Sequence, residues 1–189
     1  MPTTTVTRTY RIRREDTQAL MIDVQDKFVP HIFDMDKITK KARILIEGLV
    51  HLGVPLTINE QYPKGLGHTI GELKAVSGDA PVFEKSAFSS VDDEHTWRHL
   101  AMQNRHHVLL FGIETHVCVQ QTALDLLDNG MQPVIISDAT SSRDPYDRKI
   151  AIRRMRRAGA VVTTTEAILF ELLRSSQDPN FKAISNLVK

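Results

Sequence analysis

Val108-Leu109-Leu110-Phe111-Gly112-Ile113-Glu114-Thr115-His116-Val117-Cys118-Val119-Gln120-Gln121-Thr122 reads as a buried strand, a tight turn and the start of a helix. The apolar run ends at Gly112. After the only cysteine, Val119, Ala123, Leu126 and Leu127 recur at helical spacing and stop at Asn129-Gly130, a helix C-cap signal. Cys118 therefore falls at or near a first helical turn, where unpaired backbone N–H groups are expected to favour thiolate over thiol. An isolated free cysteine is equally well explained by simple packing, so its partners decide.

Outward from this stretch, apolar runs and helical periodicities alternate. Ala19-Leu20-Met21-Ile22 is a strand whose C-terminal end carries Asp23. Ile38, Ala42, Leu45, Ile46 and Leu49 mark a helix face, with Asp34 or Asp36 as cap and Gly53 as terminator. Val54 to Ile58 is a second strand running into Asn59-Glu60-Gln61-Tyr62-Pro63, and Pro63, Gly65, Gly67 and Gly71 make the next stretch a tightly turning loop. Val82-Phe83 is a third, left through Glu84-Lys85-Ser86. After the Cys118 helix, Pro133 to Ile136 is a fifth strand ending in Ser137-Asp138-Ala139, and Asp144-Pro145 opens a helix that stops at Gly159. Ala160 to Val162 is the sixth strand, and Asp178-Pro179 starts a last helix. This alternation predicts a parallel sheet covered on both faces, a three-layer α/β/α sandwich. A single domain is expected over residues 1–189, with 1–16 as a peripheral N-terminal arm.

The composition is that of a soluble globular chain: 189 residues, 41% hydrophobic, 25% charged and a formal net charge of +1. That balance argues against nucleic acid and acidic membranes as partners. One cysteine fits a reducing compartment, and the cytoplasm is expected. The stretch before Glu15 has no acidic residue, which leaves organellar targeting open.

In doubly wound sheets ligands bind beyond the C-terminal ends of strands, where strand order reverses. Asp23, Lys85 and Cys118 each follow such an end. An acid, a cation and a thiol so placed make a sharper pattern than any one of them alone.

Together with Ala19-Leu-Met-Ile-Asp-Val-Gln-Asp-Lys-Phe28, Lys85-Ser-Ala-Phe-Ser89, Gly112 to Thr122, Ser137-Asp138-Ala139 and Gly159 to Glu166, these residues resemble the isochorismatase-like cysteine hydrolases. Glu60-Gln-Tyr-Pro-Lys-Gly-Leu-Gly67 points to the short isochorismatase domain-containing subgroup. The resemblance implies a six-stranded parallel sheet of order 3-2-1-4-5-6 and a triad of Asp23, Lys85 and Cys118. It implies a non-proline cis peptide at Ile113–Glu114 and an oxyanion hole from the backbone N–H groups of Glu114 and Cys118. The implied reaction is hydrolysis of a small amide or related C–N substrate through a cysteine thioester. Isochorismatase proper works without the cysteine, so Cys118 argues against that reaction. The metal pattern of nicotinamidases is missing from Asn59-Glu60-Gln61-Tyr62, so no metal and no cofactor are expected. A homo-oligomer is expected by the same resemblance.

Phe28, Tyr62, Phe88 and His116 are the candidate substrate-binding residues, weighed against packing or capping roles. The basic helix 148–157 is read first as a solvated face. It also supports two rival readings, a non-catalytic scaffold on the same fold and a nucleic-acid-associated protein.

Overall fold

A computed structural model describes residues 10–189, and its architecture follows from the apolar runs. Six strands form one all-parallel sheet: β1 (Thr17–Ile22), β2 (Leu56–Gln61), β3 (Val82–Lys85), β4 (His107–Ile113), β5 (Gln132–Ser141) and β6 (Val161–Thr163). The order is β3-β2-β1-β4-β5-β6, as the family resemblance implied.

The central strands carry apolar runs, Ala19–Ile22 in β1 and Val108–Phe111 in β4, because both faces of the sheet are covered. Ala19 and Met21 of β1, with Leu109 and Phe111 of β4, point into one core. That core is closed by α1 (Met35–Leu52), α7 (Thr165–Leu173) and α8 (Phe181–Val188). The alternate residues, Leu20 and Ile22 with Val108 and Leu110, point into a second core. It is closed by α4 (Glu94–Met102), α5 (Gln120–Asp128) and α6 (Pro145–Ala158). Two short helices, α2 (Pro63–Leu66) and α3 (Gly71–Lys74), follow β2.

Side-chain caps fix two helix starts, the second of them at the Asp144-Pro145 pair read from the sequence. Asp93 accepts from the Thr96 N–H at the start of α4, and Asp144 from the Tyr146 N–H before Pro145 opens α6. Asp34 stands at the start of α1 in a left-handed conformation with no side-chain cap bond. The cap of α7 is supplied from a distance: Asp138 Oδ1 accepts from the Thr165 N–H at 2.7 Å.

Two strands run further than their apolar letters. β2 continues through Asn59-Glu60-Gln61, and β5 resumes after an irregularity opposite Leu110–Gly112 to reach Ser141. Of the arm expected over residues 1–16, residues 1–9 lie outside the described residues. Ile12 is buried and its N–H donates to Glu171 Oε1 at 2.9 Å, which docks that part of the chain onto α7. No helix among the described residues is long and apolar enough to cross a membrane.

Candidate active site

The strand order reverses between β1 and β4, and the three reactive side chains gather beyond that point. Asp23 follows β1 directly, in a left-handed conformation (φ 55°) that turns the chain off the sheet. Its N–H still donates to the Asn59 carbonyl of β2. Lys85 is the last residue of β3, two strands away. Its ammonium lies 2.8 Å from Asp23 Oδ2 and 2.6 Å from Gln61 Oε1. The Ala87 and Phe88 carbonyls complete the shell, each at 3.2 Å. Four acceptors for three ammonium hydrogens account for a lysine that is only 3% exposed.

Cys118 sits in a π-helical turn, Thr115–Val119, between β4 and α5. The peptide bond Ile113–Glu114 that opens this turn is cis. Among the described residues the Glu114 N–H finds no acceptor, whereas the Glu114 carbonyl accepts from the N–H groups of Val117 and Val119. Gly112 makes the approach of β4 to β1 possible. Its φ is +112°, and a Cβ there would sit 2.1 Å from the Ile22 carbonyl oxygen, one residue before Asp23.

The electrostatics overturn one expectation. Burial, and then the charge of Asp23, push the Cys118 thiol up to about 12 against the pull of Lys85. The sulfur is a thiol at rest, not a thiolate favoured by a helix start. Burial also pushes Asp23 above the usual carboxylate range, with Lys85 opposing. Among the described residues Asp23 Oδ1 makes no hydrogen bond. The thiol stands close enough to feel that carboxylate.

A cleft of about 920 Å³ opens onto Cys118. Phe28, Tyr62 and Phe88 line it, as do Leu66, Lys27 and Arg143. His116 is not among its lining residues: its Nδ1 meets Ser142 Oγ at 2.9 Å and its Nε2 lies 3.8 Å from Asp147.

Several positioning residues escaped the sequence reading. Gln25 clamps two segments, accepting from the Gln61 N–H and donating to the Gln61 and Gly67 carbonyls. Gln61 holds Lys85 and also donates to the Ser86 carbonyl. Glu60, 5% exposed, accepts from the Thr69 N–H and hydroxyl at 2.7 Å each and meets His68 at 2.9 Å. Together they hold the loop that carries Tyr62 and Leu66. The exposed arginines 153, 154, 156 and 157 lie along α6, while Arg148 turns inward to the Thr140 and Ser137 carbonyls. Among the described residues no group of three His, Cys, Asp or Glu side chains is placed to hold a metal ion.

This arrangement was compared with known proteins. The Isochorismatase domain model matches residues 17–167. "Isochorismatase domain-containing protein 1" of Danio rerio is 42% identical over 167 residues, 88% of this chain and 59% of that protein. The matched region thus spans well under two thirds of that relative's length. The solved structure of MAR1 ribonuclease from Caenorhabditis elegans superimposes with a TM-score of 0.89 at 38% identity, covering 94% of this chain and 92% of the other. The YcaC gene product from Escherichia coli, described as an octameric hydrolase of unknown specificity, shares the fold with a TM-score of 0.90 at 23% identity, covering 96% and 91%. With the family match running from the first residue of β1 into α7, the chain belongs to the isochorismatase family.

Proposed function

We propose that the protein is a metal-independent cysteine hydrolase of small amides or related C–N substrates, with Asp23, Lys85 and Cys118 as its catalytic triad. The observation that carries this reading is the buried contact of Lys85 Nζ with Asp23 Oδ2 at 2.8 Å, within electrostatic reach of Cys118, the thiol that lines a cleft.

Asp23 takes the Cys118 proton as the sulfur attacks the carbonyl carbon. The oxyanion is received by the backbone N–H groups of Glu114 and Cys118. Asp23 returns the proton to the leaving nitrogen, the C–N bond breaks, and a thioester remains. A water then loses a proton to Asp23 and attacks the thioester. The tetrahedral species expels the sulfur, which regains its proton from Asp23. An acid with a raised pKa suits both halves of this cycle, and Lys85 keeps its charged form accessible. Phe28, Tyr62 and Phe88 bind the substrate body. The protein works in the cytoplasm as a homo-oligomer, and the E. coli protein of the same fold is described as octameric.

A screen of small amides and ureides against wild type and Cys118→Ser tests the reading. The variant is expected to fold normally and lose about three orders of magnitude or more in kcat/KM. Hydrolysis that survives in Cys118→Ser sinks it.

A second reading, RNA hydrolysis, draws on one observation: the C. elegans protein at 38% identity is called a ribonuclease. The α6 arginines would then meet phosphates. Cleavage of a labelled RNA by wild type but not by Cys118→Ser would favour it over the amidase reading.

A further inference from the structure

The formal charge of +1 on the chain conceals an uneven distribution. α6 holds six of the 24 Lys and Arg residues and one of the 23 Asp and Glu residues, so it carries a formal +5 and the rest of the chain −4. Arg148 turns inward to main-chain carbonyls, which leaves Lys149, Arg153, Arg154, Arg156 and Arg157, all exposed. Among the described residues none of these five forms an ion pair, and residues 1–9 contain no acid that could supply one. The helix dipole stabilises cations in a last turn, which accounts for Arg156 and Arg157 but not for Lys149, Arg153 and Arg154.

Helical geometry arranges these cations. Ala151 and Met155 bury the inner face of α6. Tyr146, Ile150, Arg153 and Arg157 recur at i, i+4, i+7 and i+11 and form one outward stripe, with Tyr146 65% and Ile150 39% exposed. Lys149, Arg153 and Arg157 follow one another about 6 Å apart along the axis. Cations in a regular row match a polymer with a charge on every unit better than a lone anion. An exposed ring in the same stripe matches unstacked bases, which neither an acidic peptide nor a lipid headgroup offers. The apolar face of α6 is packed on the sheet and is closed to a bilayer. From the turn that places Arg143 in the cleft, α6 runs back to the start of β6 at the opposite end of the sheet, so its arginines lie away from Cys118.

We propose that the outer face of α6 is a docking surface for a single-stranded polynucleotide. Phosphates lie along Lys149, Arg153 and Arg157, and a base stacks on Tyr146. The assignment goes beyond the hydrolase reading, needs no cleavage and does not depend on Cys118.

Fluorescence anisotropy of the full chain with a labelled oligouridylate of about twelve nucleotides tests this. Binding is expected to weaken about twentyfold between about 50 and about 200 mM salt, as about three phosphate contacts require. Lys149→Gln/Arg153→Gln/Arg157→Gln is expected to lose about tenfold or more at the lower salt, and most of the salt dependence, with Tm unchanged. Tyr146→Ala is expected to lose about fivefold or more with the salt dependence kept, and Tyr146→Phe to bind like wild type. Cys118→Ser is expected to bind like wild type, which separates this surface from the chemistry of the cleft. An oligodeoxythymidylate of equal length is expected to use the same contacts, and any difference measures what the sugar adds. A triple variant that binds within about 1.5-fold of wild type overturns the assignment. So does Tyr146→Ala binding as tightly as wild type. Polyglutamate that competes equally per charge would give the face to an acidic peptide, and phosphatidylserine vesicles that do so would give it to a membrane; either result also overturns the assignment.

Discussion

Lys85 Nζ and Asp23 Oδ2 lie 2.8 Å apart, with side chains 0% and 1% exposed, so each charge is buried only because the other is there. Removing one partner from such a pair strands the other, at a cost of about 3–5 kcal/mol if it stays charged. In Lys85→Met the carboxyl loses the charge that opposes its desolvation and takes up a proton instead. The expected result is a fall in kcat/KM of about a hundredfold or more, larger than any fall in Tm would explain. Steady-state kinetics with thermal melts of the same samples check this.

The thiol pushed up to about 12 makes a kinetic prediction. Iodoacetamide alkylation of wild type should rise steadily across the alkaline range instead of levelling near the ordinary thiol value. Asp23→Asn removes a charge that opposes the thiolate and should move the curve to lower pH while abolishing hydrolysis. The sign for stability follows. The thiol's folded value is raised, so its contribution is complete below pH 9 and is lost as pH climbs toward about 12. A rate profile that Asp23→Asn leaves in place would contradict the electrostatics described.

Gly112→Ala should be severely destabilising for two independent reasons, its φ of +112° and the 2.1 Å approach of the new Cβ to the Ile22 carbonyl oxygen. Backbone must move in the centre of the sheet, and a loss of about 3 kcal/mol or more is expected. Urea denaturation measures it. A loss below about 1 kcal/mol would show that β1 and β4 have room to separate.

Glu60→Gln should loosen the loop of Tyr62 and Leu66. Burial acts to raise Glu60, but the bonds from Thr69 and His68 outweigh it and hold the carboxyl below its ordinary value. A depressed acid gives stability present above its unfolded value and lost as pH falls through the folded one. The gap in Tm between wild type and Glu60→Gln is therefore expected to be largest near neutrality and to close as pH drops below about 4. Melts across that range decide it, and a gap that does not narrow in acid would separate Glu60 from the effect.

Much of this molecule was legible in its letters because a parallel sheet with both faces covered writes each central strand as an unbroken apolar run. Asp23, Lys85 and Cys118 stood out as an acid, a cation and a thiol that each lie at or just past the C-terminal end of a strand. Asn59-Glu60-Gln61 lies beyond the apolar run Val54 to Ile58 that marks the second strand, yet it belongs to β2. Each polar side chain there meets a partner distant in sequence, Thr96, Thr69 and Lys85. Lys27 and Arg143 look like any solvated cations until the fold brings them to one cleft. The thiol misled in the opposite direction: position in a helical turn suggests acidity, while burial beside a carboxylate reverses it.

The Lys85 ammonium takes two of its acceptors from main-chain oxygens, Ala87 and Phe88, and the side chain of Phe88 faces the cleft. On the proposed function, chemistry and selectivity meet in one short segment yet use different atoms of it. A redesign that exchanges the ring at position 88 for another shape leaves the oxygen that steadies the ammonium untouched. New preferences could be grafted onto this segment while the reacting groups keep their setting.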